Sequence, residues 1–356
     1  MAQQTTETRT APPRKPILAT MPGPDPLWNQ YVEDYLPPHA GTLKDHLEML
    51  KLAKGRDLLI LNGSVGRRQK YRDLIFAILL KFSPSRPPVL MQDATWEPNS
   101  ESLTAQFPFL KPLLPRLARM AISLLDGPHV RYAVLSTSEV ATFPKVWGVD
   151  PERVVFQPFP NTLGRYRDTP TRDDGYLFAG GNSVRDYGLM EAALEGLQVP
   201  TRIATKWQPT RNLPHLQVGP TSHDEFMQLM ANSHAVVVPL RQTVRSAGQQ
   251  TYLNAMGLRK PVIVTDAPGV RDYVIDGVTG VIVPHDVQAM RAAIRHVMDP
   301  ANAAFYAQMG ERAREDVLKR FNEDTFRHGL LRHAGVIGDQ RFEKTASAAQ
   351  HVGQPS

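Results

Sequence analysis

Cysteine is absent from the 356-residue chain, which excludes disulfides, thiolate metal sites and cysteine nucleophiles. No run of about 18 apolar residues is free of charge, so no membrane span is expected. The start, MAQQTTETRTAPPRKP, has no apolar core of the kind a signal peptide carries. It reads as a disordered tail over 1–15, and 338–356 reads the same way. A reducing cytoplasm is the compartment expected of a chain without cysteine. Zinc-finger spacing, an aromatic-basic RNA-binding signature and long Lys/Arg runs are all missing, so nucleic acid is not an expected partner. His39, His46, His129, His215 and His234 show no ligand spacing, and neither a metal nor another cofactor is expected. One further absence is local. Between Glu225 and Asp266 there is no acidic residue, while Arg241, Arg245, Arg259 and Lys260 all fall in that interval.

The length suffices for two globular domains, and a composition of 42% hydrophobic and 21% charged residues is compatible with real cores. A formal charge of +6 favours anionic partners: nucleotides, phosphates or an anionic membrane surface. Short apolar runs rich in β-branched residues alternate with helical patterns, the signature of an α/β chain with parallel sheets. In the first half, strands are expected at PILAT (16–20), DLLILNG (57–63), PVLMQD (88–93), YAVLST (132–137) and RVVFQPF (153–159). The spacing of Tyr71, Leu74, Ile75, Ile78, Leu79 and Phe82 predicts a helix over Gln69–Phe82. The segment PFPNTLGRYRDTPTRDDG (158–175) breaks the pattern with prolines and alternating charge, and its centre, 161–174, reads as a linker. A second series follows: GYLFAGG (175–181), TRIAT (201–205), HLQVG (215–219), HAVVVPL (234–240), KPVIVTD (260–266) and TGVIVP (279–284). The expected organisation is two Rossmann-like domains, 16–160 and 175–337, with a cleft between them as the binding site. The final helix is expected to pack back on the first domain.

Three features of the second half bear on a phosphate ligand. In FAGGNSVRDYG a strand meets Gly180-Gly181 and a helix. Glycines there let a backbone approach a pyrophosphate, and Arg185 offers a charged fork; a plain strand-to-helix turn reads the same way. In RQTVRSAGQQTYLNAM, Ser246, Ala247 and Gly248 stand at a helix start, where free N–H groups and the helix dipole favour an anion. A serine cap on an ordinary helix is the plainer alternative. The third feature, VTDAPGVRDYVIDGVTGVIVP, contains turn glycines at 277 and 280 that local geometry explains.

Taken together, residues from about Tyr176 to Phe321 resemble the nucleotide-sugar domain of the retaining GT-B glycosyltransferases of the large "group one" family. SAGQQTYLNAMGLRKPVIV stands where that family has E-G-F-G-x-P-x-L-E-A-M-A-x-G-x-P-V-V, with TDAPGVRDYVIDGVTGVIVPHD after it and VGPTSHDEFMQLMANSHAVVVPL before it. The resemblance implies a GT-B fold, α/β with two Rossmann-like domains facing across a cleft. It implies transfer of a sugar, with retention, from a nucleotide-diphosphate donor to a glycan, lipid-linked or small-molecule acceptor held by the first domain. The donor would meet Gly180, Gly181, Arg185, Arg245, Ser246, Gly248, Gln249, Thr251 and Asn254. Metal is usually unnecessary in this fold, because cations and a helix dipole neutralise the leaving diphosphate.

The departures from the pattern fall on two glutamates, eight positions apart, that contact sugar and ribose in the family. Ser246 and Asn254 stand in their places. VLMQDATWEP resembles a strand that commonly ends in His-Asp, so Gln92 replaces the histidine and Asp93 remains. Gln92 can hydrogen-bond but cannot act as an acid or base, and Asp93 is either a catalytic carboxylate or the cap of the next loop. Two accounts stay open: an active enzyme with a variant donor site, or a catalytically degenerate protein that binds nucleotide or a partner without turnover. Another GT-B activity, such as sugar-nucleotide epimerisation, is a third class. GRRQKYRDLIFAILLKF (66–82) and LKPLLPRLARMAISLL (110–125) set Arg67, Arg68, Lys70, Arg72, Lys111, Arg116 and Arg119 among apolar residues. Such stretches suit peripheral contact at the inner membrane face or a lipid-linked acceptor; domain helices with a solvated basic edge read the same way.

Overall fold

The structure, a computed structural model, describes residues 15–36, 41–63, 71–99, 104 and 108–338. Apart from Lys15 and Gly338, the segments expected as tails lie outside the described residues, as do Arg67, Arg68 and Lys70. Strands β1 (Ile17–Ala19), β2 (Val32–Asp34), β3 (Leu58–Asn62), β4 (Val89–Gln92), β5 (Val130–Val134) and β6 (Val154–Phe156) form one parallel sheet, ordered β2-β1-β3-β4-β5-β6. Their helices are α1 (Pro26–Tyr31), α2 (Leu43–Ala53), α3 (Arg72–Lys81), α4 (Leu114–Leu125) and α5 (Thr137–Trp147). Helices cover both faces of this sheet, so its strands are near-continuous apolar runs; Leu59, Ile60 and Leu61 are all fully buried.

A second parallel sheet contains β7 (Leu177–Gly180), β8 (Thr201–Ala204), β9 (Leu216–Gly219), β10 (Ala235–Val238), β11 (Val262–Thr265) and β12 (Val281–Val283). The helices of this half are α6 (Tyr187–Leu194), α7 (His223–Ala231), α8 (Gln249–Gly257), α9 (Val270–Tyr273), α10 (Val287–Met298), α11 (Ala303–Arg320) and α12 (Glu323–His333). Its order, β12-β11-β10-β7-β8-β9, is that of dinucleotide-binding sheets, with the direction of winding reversing between β7 and β10. Ligands of such sheets bind outside the carboxyl ends of the strands at that reversal. Helix α12 returns to the first domain, where Phe326, Leu330 and Leu331 share a core with Ile17, Trp28 and Ala133.

The structure departs from the sequence reading at β2 and at the start of α3, and it spreads the cations that follow Glu225. Strand β2 was not foreseen, because among its residues only Val32 is buried. The helix expected from residue 69 starts at Arg72, after Tyr71 in a left-handed conformation with φ 56°. The basic run after Glu225 does not gather at one site. Lys260 is buried and donates to Arg172 O and Ser233 O at 2.6 and 2.8 Å, while Arg259 pairs with Glu311 at 2.8 Å. Nine residues of α8 span about 14 Å, which separates these two cations from the helix start.

Candidate functional site

Carboxyl ends of strands from both sheets frame a cleft of about 500 Å³ between the domains. Asp93, Gly181, Arg185, Arg245, Ser246 and Gly248 line it, together with Gln249, Thr251 and Asn254. Gln92 and Gly180 do not. Gln92 is buried at the end of β4. Gly180 serves packing: a Cβ there would lie 2.3 Å from the Phe226 ring. That ring stands edge-on to Phe178 at 5.0 Å.

Arg185 sits where β7 and β10 diverge, and its backbone bridges to Leu240. The guanidinium donates to Gly180 O (3.1 Å), Ser183 O (2.7 Å) and Thr251 Oγ1 (2.9 Å), all neutral acceptors. No carboxylate pairs with it among the described residues, and burial together with nearby Arg245 lowers its pKa. A guanidinium stays charged at any physiological pH, so this corner of the cleft holds an unneutralised cation. Arg245 lies beside it and donates to Ser183 Oγ at 2.8 Å. Helix α8 begins at Gly248, φ 88°, with no side chain capping it, so the dipole and free N–H groups of that end point into the same space.

Carboxylates enter from the first domain. Glu97 pairs with Arg245 at 3.1 Å. Glu139, on the first turn of α5 and 2% exposed, accepts from Ser246 Oγ at 2.6 Å and from Ser136 Oγ at 2.8 Å. Gln249 Nε2 completes the chain by donating to Ser246 Oγ at 2.6 Å. Burial raises the pKa of Glu139, while the two serine hydroxyls and the Ser246 amide oppose that rise. Gly269, φ 84°, closes the junction: a Cβ there would come within 2.6 Å of Ser246 Cβ and 2.7 Å of Ser136 Cβ.

Asp93 follows β4 with φ 55°, a left-handed conformation that aspartate tolerates better than most residues. Thr95 Oγ1 donates to its carboxylate at 3.1 Å. Burial pushes the Asp93 pKa up to about 6, with Glu139 adding to the rise and Thr95 and Arg245 opposing it. Asn254 reaches the cleft with its side chain engaged by the linker: Oδ1 accepts from Thr162 N at 2.9 Å and Nδ2 donates to Thr162 Oγ1 at 3.0 Å.

Sequence reasoning passed over Glu97 and Glu139, which belong to the opposite domain. The spacing Ser136-x-x-Glu139 was visible, but it is that of a helix capping box and gives no hint of a reach across the cleft. It also passed over Thr221, Ser222, His223, Phe226 and Met227, which line the end of the cleft next to α7. Among the described residues no group of three or more His, Asp or Glu side chains is placed to hold a metal ion.

Residues 206–299, within the domain that carries the arginines and the α8 terminus, match the family model described as glycosyl transferases group 1. This segment of the second domain is similar to the group 1 glycosyl transferases. Sucrose-phosphate synthase from Thermosynechococcus elongatus is similar in structure, with a TM-score of 0.59 at 15% identity over 85% of this chain and 80% of that one. HepE of Anabaena, solved in complex with UDP-glucose, gives a TM-score of 0.59 at 15% identity over 87% of this chain and 88% of that one. A glycosyltransferase from Rickettsia africae gives 0.55 at 12% identity, covering 90% and 89%. The fold is GT-B. A search of curated protein sequences gave no match.

Proposed function

We propose that this chain transfers a sugar from a nucleoside-diphosphate donor to an acceptor bound by the first domain, with retention of configuration. The observation that carries the reading is Arg185: a guanidinium at the β7–β10 reversal, bonded only to neutral groups and beside an uncapped helix start. A diphosphate there supplies the missing negative charge and accepts charge-assisted hydrogen bonds. Gly181, φ 100°, adopts a backbone that places no side chain in the diphosphate's way. The apolar end formed by Phe226 and Met227 suits a nucleobase, which has flat apolar faces. As the diphosphate leaves, Arg185, Arg245 and the amides at Gly248 and Gln249 stabilise its charge, a large catalytic contribution in a water-poor cleft. Asp93, its pKa raised to about 6 by burial, is the first-domain carboxylate suited to act on an acceptor hydroxyl. UDP-glucose, bound by HepE, is the first donor to try.

The test is calorimetry and thermal shift with UDP, GDP and ADP, followed by donor hydrolysis and transfer assays. A nucleoside diphosphate is expected to bind wild type, and Arg185→Ala to weaken binding by about 10- to 100-fold, the loss of one or two charged hydrogen bonds. Absence of binding by every nucleotide defeats the reading. A second reading, nucleotide binding without turnover, draws on one observation: Ser246 and Asn254 are both turned to protein partners, Glu139 and Thr162. Tight binding with neither hydrolysis nor transfer over a broad acceptor panel decides for it.

A further inference from the structure

Helix α4 presents two apolar faces. Leu114, Ile122 and Leu125 are buried against the first domain. At helical spacing, Leu113, Leu117, Met120 and Leu124 form a second stripe that is exposed. Arg116 and Arg119 flank that stripe on its far side, with Lys111 at its start, and the helix contains no acidic residue. None of these three cations pairs with a carboxylate among the described residues. The stripe does not end with α4. Phe109, just ahead of the helix, is 95% exposed. Helix α3 packs beside α4 and turns Ile75, Leu79 and Phe82 outward, the last 73% exposed.

Single exposed leucines need no explanation, whereas rows of exposed apolar side chains on two adjacent helices mark an interaction surface. A protein partner of ordinary character gives no reason for the arrangement of charge. An apolar face bordered by unpaired cations is the pattern that lies in the plane of an anionic lipid surface, with side chains in the acyl boundary and cations at the headgroups. We propose that the α3–α4 face of the first domain docks on an anionic bilayer. No helix of the described residues is long and apolar enough to cross a membrane, so the contact is peripheral.

The topology adds a consequence. Helices α3 and α4 each follow a strand of a parallel sheet, so their N-termini stand at the carboxyl ends of the strands, the end where Asp93 and Thr95 line the cleft. Phe109 therefore lies at the cleft end of the docking face, and an acceptor carried by the bilayer is presented at the level of the cleft. This consequence rests on the proposed transfer; the docking itself does not.

Vesicle flotation tests the docking without any nucleotide, using phosphatidylcholine vesicles with and without phosphatidylglycerol. The chain is expected to float with the anionic vesicles and to be released by salt. Arg116→Glu/Arg119→Glu and, separately, Leu117→Ser/Met120→Ser are each expected to lower the bound fraction at least about tenfold. Their melting temperatures and nucleotide binding should match wild type, because all four side chains are exposed. Failure to float, or flotation that neither double variant reduces, overturns the proposal. So does a dimer in sedimentation equilibrium that Leu117→Ser/Met120→Ser dissociates without vesicle binding, since a second copy then covers the face. Loss of nucleotide binding in Arg185→Ala with flotation intact would leave docking standing alone, so the two readings fail separately.

Discussion

Replacing Asp93 by asparagine should remove a pH-dependent loss of stability from the wild type. Burial raises this carboxyl from 3.8 to about 6, so between those values the native state binds more protons than the unfolded chain. Stability then falls as the pH climbs through that window and stays lower above it. A shift of about two units corresponds to about 3 kcal/mol, and solvent at the cleft mouth brings the expected effect to about 2 kcal/mol. Asparagine keeps the shape, can still accept the Thr95 hydroxyl, and tolerates the left-handed backbone at least as well as aspartate. The assay is urea denaturation of both proteins at intervals from pH 4 to pH 8, with the m-value checked for constancy. The stability of Asp93→Asn minus that of wild type should rise through the window and level off above about pH 6. Part of the rise belongs to Glu139, whose own burden eases when its negative neighbour is removed. A difference that stays flat from pH 4 to pH 8 refutes the argument, because it means that the Asp93 carboxylate is as well solvated in the cleft as in the unfolded chain.

Two other outcomes follow from the same physics. Ser246→Glu puts a second carboxylate against buried Glu139, now 2.6 Å from the serine oxygen; it should cost on the order of 3 kcal/mol, measured by denaturation, and adding Glu139→Gln should recover much of it. Lys260 is held near a pKa of about 8 by burial, so the unfolded chain binds more protons above that value and stability should rise with pH from about 8 towards the ordinary lysine range. In Lys260→Met that rise should vanish from the melting curves. A wild-type profile with no rise counts against a desolvated ammonium.

Much of the fold was readable because parallel strands covered by helices on both faces are near-continuous apolar runs, as LLIL (58–61) and VIV (262–264) are. β2 was not readable: a three-residue edge strand with Glu33 partly exposed and Asp34 exposed has neither an apolar run nor an alternation long enough to register. Within the site, Gly181, Arg185 and the Gly248 turn follow strand ends of a parallel sheet, and strand ends of such a sheet share one side. Their convergence follows from topology. Gly180 misled because a glycine next to another glycine looks like a phosphate loop, whereas the ring of Phe226, 46 residues away in sequence, is what excludes a side chain there. Arg259 and Lys260 follow Arg245 closely in sequence yet stand away from the cleft, because a helix places its two ends far apart.

The carboxylates that face the 241–248 loop come from the first domain. Glu97 holds Arg245, Glu139 holds Ser246, and Thr142 Oγ1 donates to Val244 O at 3.4 Å. Three successive residues of that loop are thus tied to the first domain, and Gly269 lets the segments at Ser136 and Ser246 meet closely enough for the ties to form. A glutamate at position 246 would carry its own charge into the cleft whatever the first domain did. A serine there has a short hydroxyl that reaches a carboxylate only when α5 is against it. Separating the domains would break all three ties and expose Glu139 to water, where burial no longer raises its pKa. The loop ahead of α8 thus takes part of its anchorage from the first domain, beside the bonds of Arg245 to Ser183 Oγ and Ser246 O within its own domain.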